Sequence, residues 1–175
     1  MAGIKHPKVL PGTDDSDPNT ASPSDWNAEH TGLQWFGLAA DIANSTTTLA
    51  DITGFTWSLT ATEGCSFTAH IFHVAAALTT GITLGLTGPA SPAMYRAALM
   101  SGTGATTFQT IGVTGTAYSS MSTTAVWSIT LPNLTIWTGH IKNGTTAGTI
   151  QLRFAAEVAA AMTLQQGSYV TVVRF

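Results

Sequence analysis

Residues 168–175 read SYVTVVRF, and their alternation decides the fold. Tyr169, Thr171, Val173 and Phe175 fall on one side; Val170, Val172 and Arg174 fall on the other. Side chains of an extended chain alternate between two faces, so a period of two marks a β-strand with one covered and one more open side. The same pattern lies upstream. In TIQLRFA (149–155), Ile150, Leu152 and Phe154 oppose Thr149, Gln151 and Arg153. In FTAHIFH (67–73), Phe67, Ala69, Ile71 and His73 share a face.

Working outward from these three segments, short runs rich in Thr, Val, Ile and aromatics predict strands at 33–39, 46–51, 54–61, 65–75, 81–87, 93–100, 106–113, 124–130, 134–141, 148–156 and 168–175. Lys142-Asn143-Gly144 carries an Asn-Gly hairpin signal, and Thr87-Gly88-Pro89 and Gln166-Gly167 mark further turns. The one helix-friendly stretch is AAEVAAAM (155–162), which can equally continue a strand and then loop. So many short strands in residues 32–175 imply an all-β fold, an antiparallel sandwich, jelly roll or small barrel, and an antiparallel β-sandwich of jelly-roll-like type is the architecture expected.

Residues 1–31 read differently, as an extended arm. Pro7, Pro11, Pro18 and Pro23 each bar the preceding residue from helix, and Gly12, Asp14, Asp15, Ser16, Asp17 and Asn19 favour turns and loops. The arm has too few apolar residues to fold alone. It reads either as a disordered tail or as a docking arm that orders on a partner. In the docking reading Ile4, Val9, Leu10 and Trp26 supply the apolar contacts. PSDWNAEH (23–30) looks like a short helical turn that Ser24 or Asp25 can cap, with Trp26 as its anchor.

Charge is scarce. Only 9% of residues are charged, against roughly 25% in an ordinary soluble protein. Beyond residue 30 the chain holds Asp41, Asp51, Glu63 and Glu157 against Arg96, Lys142, Arg153 and Arg174. A body this neutral suggests a surface that meets other protein. The net charge of −3 and the lack of a basic run argue against nucleic-acid binding. No apolar run is long enough for a membrane span, and the N-terminal MAGIKHPKVLPG has no apolar core of a signal peptide. A single cysteine, Cys65, excludes an intrachain disulfide framework. The sequons at Asn44, Asn133 and Asn143 are expected by chance in so Thr-rich a chain.

Catalytic patterns are not found. His70 and His73 would share a helix face, but on a strand they point to opposite sides, so neither a metal nor any other cofactor is expected. No serine sits in a nucleophile elbow. Glu157 is the best single acid for glycan hydrolysis but lacks an obvious partner, while Asp41 and Asp51 are placed to cap turns. Cys65 reads as a small buried thiol. Trp35, Trp57, Trp127 and Trp137 read as core, with sugar stacking as the other use of any that is exposed.

PSDWNAEH ahead of a β-rich domain resembles the opening of many structural proteins of tailed bacteriophages. NGTTAGTIQLRFAAEV (143–158) and MTLQQGSYVTVVRF (162–175) resemble the closing strands of β-sandwich domains in phage fibres and capsid-decorating proteins. The resemblance implies a virion component assembled in the bacterial host cytoplasm, not an enzyme, and brings no catalytic residue with it. It implies a homotrimer held by its arm to the major capsid protein or another virion protein, as a decoration or cementing protein. The alternatives are a tail-fibre or tail-tip module binding a host surface glycan, and a small jelly-roll enzyme acting on glycans.

Overall fold

The computed structural model describes residues 33–104 and 107–175, and these are all-β, with no helix among them. The strands are β1 (Leu33–Gly37), β2 (Ile42–Asn44), β3 (Ala50–Leu59), β4 (Gly64–Ala75), β5 (Ile82–Thr87), β6 (Met94–Gly102), β7 (Phe108–Gly115), β8 (Met121–Ser122), β9 (Asn133–Lys142), β10 (Gly148–Ala156), β11 (Met162–Leu164) and β12 (Tyr169–Arg174). The arm residues Ile4, Val9, Leu10 and Trp26, and the turn at 23–30, lie outside the described residues.

All pairings are antiparallel. The small sheet has the order β3-β10-β5-β8. The large sheet runs β1-β12-β4-β9-β6-β7, with β11 and β2 continuing the β12 and β1 rows beside the far end of β4. Taken from β3 to β10, the eight central strands distribute between sheets as a jelly roll: first, eighth, third and sixth in one, and second, seventh, fourth and fifth in the other. β12 and β1 then cover the edge of β4, which a bare jelly roll would leave open.

The alternating apolar residues explain the closure. Phe67, Ala69 and Ile71 of β4, Trp137 and Ile141 of β9, and Tyr95 and Leu99 of β6 are buried. They face Ile52, Phe55, Trp57 and Leu59 of β3, Ile150, Leu152 and Phe154 of β10, and Ile82 and Leu84 of β5. Rings link the layers, Phe36 to Trp57 at 6.2 Å and Trp57 to Phe67 at 5.8 Å, and within the large sheet Phe67 meets Trp137 edge-on at 5.3 Å. Gly139 makes room for this stack. A Cβ there would lie 2.5 Å from the Phe67 ring.

Several local expectations are corrected. The separate strands predicted at 46–51 and 54–61 are one strand, β3, with a bulge opposite Leu152 where the register jumps between Gln151 and Arg153. Gly54 adopts a φ of 90° there, and the Gln151 amide donates to the carbonyls of Ile52 and Phe55, which leave the ladder. The predicted strand at 124–130 is a loop. Ser128 Oγ accepts from the N–H groups of Thr130 and Leu131, and Asn133 both donates to the Ser128 carbonyl and accepts from its N–H. Local side-chain bonds replace a ladder. Asn143-Gly144 turns the chain, but β9 and β10 lie in different sheets, so no hairpin forms. The stretch 155–162 ends β10 at Ala156, bends, and enters β11, so the strand-then-loop reading holds.

The three sequon asparagines form a set. Asn44, Asn133 and Asn143 are all buried. Each amide nitrogen bridges two backbone carbonyls: Thr48 and Phe154 for Asn44, His73 and Ser128 for Asn133, Thr60 and Thr146 for Asn143. Each amide oxygen accepts a nearby backbone N–H, from Thr46, Ser128 and Gly144 respectively. They pin the loops around the sandwich rather than decorate its surface.

Candidate functional site: the outer face of the large sheet

The charged residues of the body are mostly engaged in structure. Asp41 Oδ1 accepts the Gln166 N–H at 2.7 Å, a turn cap as the sequence suggested. Asp51 does not cap a turn. It lies on β3, with Oδ1 2.9 Å from Arg153 Nε. Glu63 pairs with Arg174 at 3.2 Å, and Arg174 also donates to Gln34 on β1. Burial pushes the Glu63 carboxyl up, but hydrogen bonds from Thr60 together with Arg174 hold it below its ordinary value. Glu157 sits on the bend after β10 and donates its backbone N–H to Gly81.

His70 and His73 face opposite ways, as a strand requires. His73 is buried, with Nε2 2.9 Å from Thr135 Oγ1. Thr135 donates its own proton to Ser101 Oγ at 2.8 Å, so it accepts from Nε2–H. Nδ1 of His73 is then an unpartnered buried lone pair. Burial lowers the His73 pKa to about 4. Cys65 is buried as expected, and burial raises its thiol to about 11. Among the described residues, no three His, Cys, Asp or Glu side chains come together as a metal site.

What remains is the outer face of the large sheet, which the register maps row by row. One row holds Tyr169, His70, Ile136, Met100 and Thr110; the next holds Trp35, Thr171, Thr68, Thr138, Ala98 and Gly112. A third ends in His140, Arg96 and Thr114. Trp35 is 62% exposed.

Three zones differ in chemistry. At the β1 edge the rings stack: Trp35 on Tyr169 at 6.3 Å and 27°, and Tyr169 on His70 at 4.7 Å and 18°. In the middle, Ala98, Gly112 and Thr138 floor an open trough of about 510 Å³, with Arg96 and His140 at one end. Ser66 Oγ holds His140 Nδ1 at 2.8 Å. At the β7 edge, Met100, Phe108, Trp127 and Leu134 border an apolar groove of about 340 Å³. Phe108 is 70% and Trp127 56% exposed there, and the nearby Ile129 and Leu131 are exposed too. Two of the four body tryptophans, Trp57 and Trp137, are core; the other two lie on opposite edges of this face.

β7 itself is a bare edge. It pairs only with β6 among the described strands, runs for eight residues, and carries neither charge nor proline. Sequence reading predicted this strand but not its place at the edge, which depends on sheet order.

No family model and no curated protein matches the chain. Among solved structures it is similar to TmCBM61 in complex with β-1,4-galactotriose, at 11% identity and a TM-score of 0.36, over 80% of this chain and 88% of that one. It is also similar to VP2 of infectious bursal disease virus in its subviral particle, at 12% identity and a TM-score of 0.22, over 95% of this chain and 45% of that one. The chain thus spans under half the length of the VP2 chain. Likeness at this level lends nothing to function.

Proposed function

We propose that the protein is a non-enzymatic structural component of a bacteriophage virion, a capsid decoration protein that assembles with copies of itself. The observation that carries this reading is the β7 edge. Natural sheets protect a long edge with lysine, proline, a bulge or a covering segment, because free N–H and C=O groups template pairing with another chain. β7 has no charge and no proline, and the exposed apolar corner of Phe108, Trp127, Leu131 and Leu134 lies beside it. A second copy of this neutral chain is the occupant that such an edge fits. Closed symmetry hides these surfaces, and a trimer is the order that the phage resemblance implies. The arm with Ile4, Val9, Leu10 and Trp26 then reaches the capsid neighbour.

Light scattering on the full chain tests the assembly. The wild type is expected as an oligomer, and Thr110→Lys, which puts a charge on the edge, as a monomer. A wild type that stays monomeric at high micromolar concentration sinks the reading. Copy number in purified particles tests the location: hundreds of copies fit decoration, and a handful would move the protein to the tail.

A further inference from the structure

We propose that the exposed Trp35, held by Tyr169 with His70 stacked against it, forms a stacking platform for a neutral oligosaccharide of pyranose rings. The proposal does not depend on the assembly reading. The platform lies four inter-strand spacings from β7, on the order of 20 Å away.

The three rings come from three adjacent strands, β1, β12 and β4: Tyr169 overlaps His70 face to face, and Trp35 lies near-parallel to Tyr169 on its other neighbour strand. Two stacking contacts hold the rings, and β1 is shaped for them. Trp35 lies over Gly37, where a Cβ would sit 2.3 Å from the indole. Only a residue without a side chain lets that ring lie down toward Tyr169. The face of an aromatic ring carries partial negative charge, and the axial C–H groups of a pyranose carry partial positive charge and shed water readily.

Hydroxyls flank the ladder in the next row. Thr171 Oγ1 donates to the Thr68 carbonyl, Thr138 Oγ1 donates to the Phe67 carbonyl, and Thr68 Oγ1 donates toward Thr138 Oγ1. Their protons are committed to protein oxygens. What they present outward is lone pairs, which accept from sugar hydroxyls. No Asp, Glu, Lys or Arg occupies an outward position on β1, β12 or β4. That favours a neutral glycan over an acidic one. It also disfavours a nucleic acid, whose bases would stack but whose phosphates need cations beside the rings.

The test is a glycan array with full-length protein, followed by calorimetric titration of the best neutral oligosaccharide found. Two variants accompany it. Trp35→Ala removes the first ring, and Gly37→Ala keeps every ring but lifts the indole from its seat. The expected result is saturable binding to a neutral glycan class, weakened at least tenfold by Trp35→Ala and by a smaller factor by Gly37→Ala, with unfolding temperature and oligomer mass unchanged. Three results would overturn the proposal: no neutral glycan bound, unaltered binding in Trp35→Ala, or a change of oligomeric mass in Trp35→Ala, which would make the ladder a protein contact.

Discussion

On the outer face of the small sheet, Asp51, Thr56, Ser58, Thr149, Gln151 and Arg153 alternate with core residues. On the outer face of the large sheet, Trp35, Tyr169, Phe72, Ile136, Met100 and Leu134 stand among threonines, with Arg96, His140 and Lys142 gathered toward one end. The inner faces are alike, dense with aliphatic and aromatic side chains. The inward pattern therefore builds the sandwich, and the outward pattern records what each face meets. One meets water. The other sets rings and methyl groups among threonine hydroxyls.

The largest effects should come from inside, where the sheets are equivalent. Trp57→Ala in the small sheet and Trp137→Ala in the large one are each expected to cost about 3–5 kcal/mol in denaturant unfolding. Markedly unequal costs would show that one sheet carries most of the core.

The second effect belongs to the large sheet alone. The folded pKa of His73, about 4, lies below its ordinary 6.5. The unfolded chain therefore binds the proton first as pH falls. Stability is fully present above pH 6.5 and is lost progressively down to about pH 4, by roughly 3 kcal/mol in all. Unfolding curves measured at stepped pH should show this slope, and His73→Gln should flatten it.

Smaller losses follow at the loops. Asn133→Ala and Asn143→Ala each remove a buried amide that ties two loop carbonyls together and are expected to cost about 1–3 kcal/mol by thermal unfolding. Outside, the two faces should separate. Met100→Lys is expected to weaken self-association at least tenfold, about 1.4 kcal/mol, while Thr56→Lys on the small sheet leaves it unchanged. Sedimentation equilibrium reads both. Asp51→Ala, which breaks an exposed ion pair with Arg153, should cost under about 1 kcal/mol.

How much of this was legible in the sequence follows from the same contrast. TIQLRFA could be read because a polar residue separates its apolar ones, and SYVTVVRF because Thr171 and Arg174 fall on opposite sides of its valines. β2, β8 and β11 are too short to carry a period. The segment around Trp127 has strand composition, yet Ser128 and Asn133 hold it as a loop through side chains whose partners lie several residues away. The bulge in β3 depends on Gln151, which lies about a hundred residues along the chain. The sequence offered Trp35 as core or sugar stacker, His70 as half of a strand histidine pair and Tyr169 as one face of an alternation, with nothing to link the three. Register alone brings them into one stack. The role of β7 was hidden for a similar reason, because no local pattern tells a strand which neighbour it lacks.

The buried asparagines have a practical consequence. Each is an acceptor sequence for N-linked glycan, yet in the folded chain each amide nitrogen already holds two carbonyls. A eukaryotic secretory host would attach sugar to the nascent chain before those loops close. The glycoforms would then be locked out of the native sandwich, whereas bacterial synthesis leaves all three side chains free to dock.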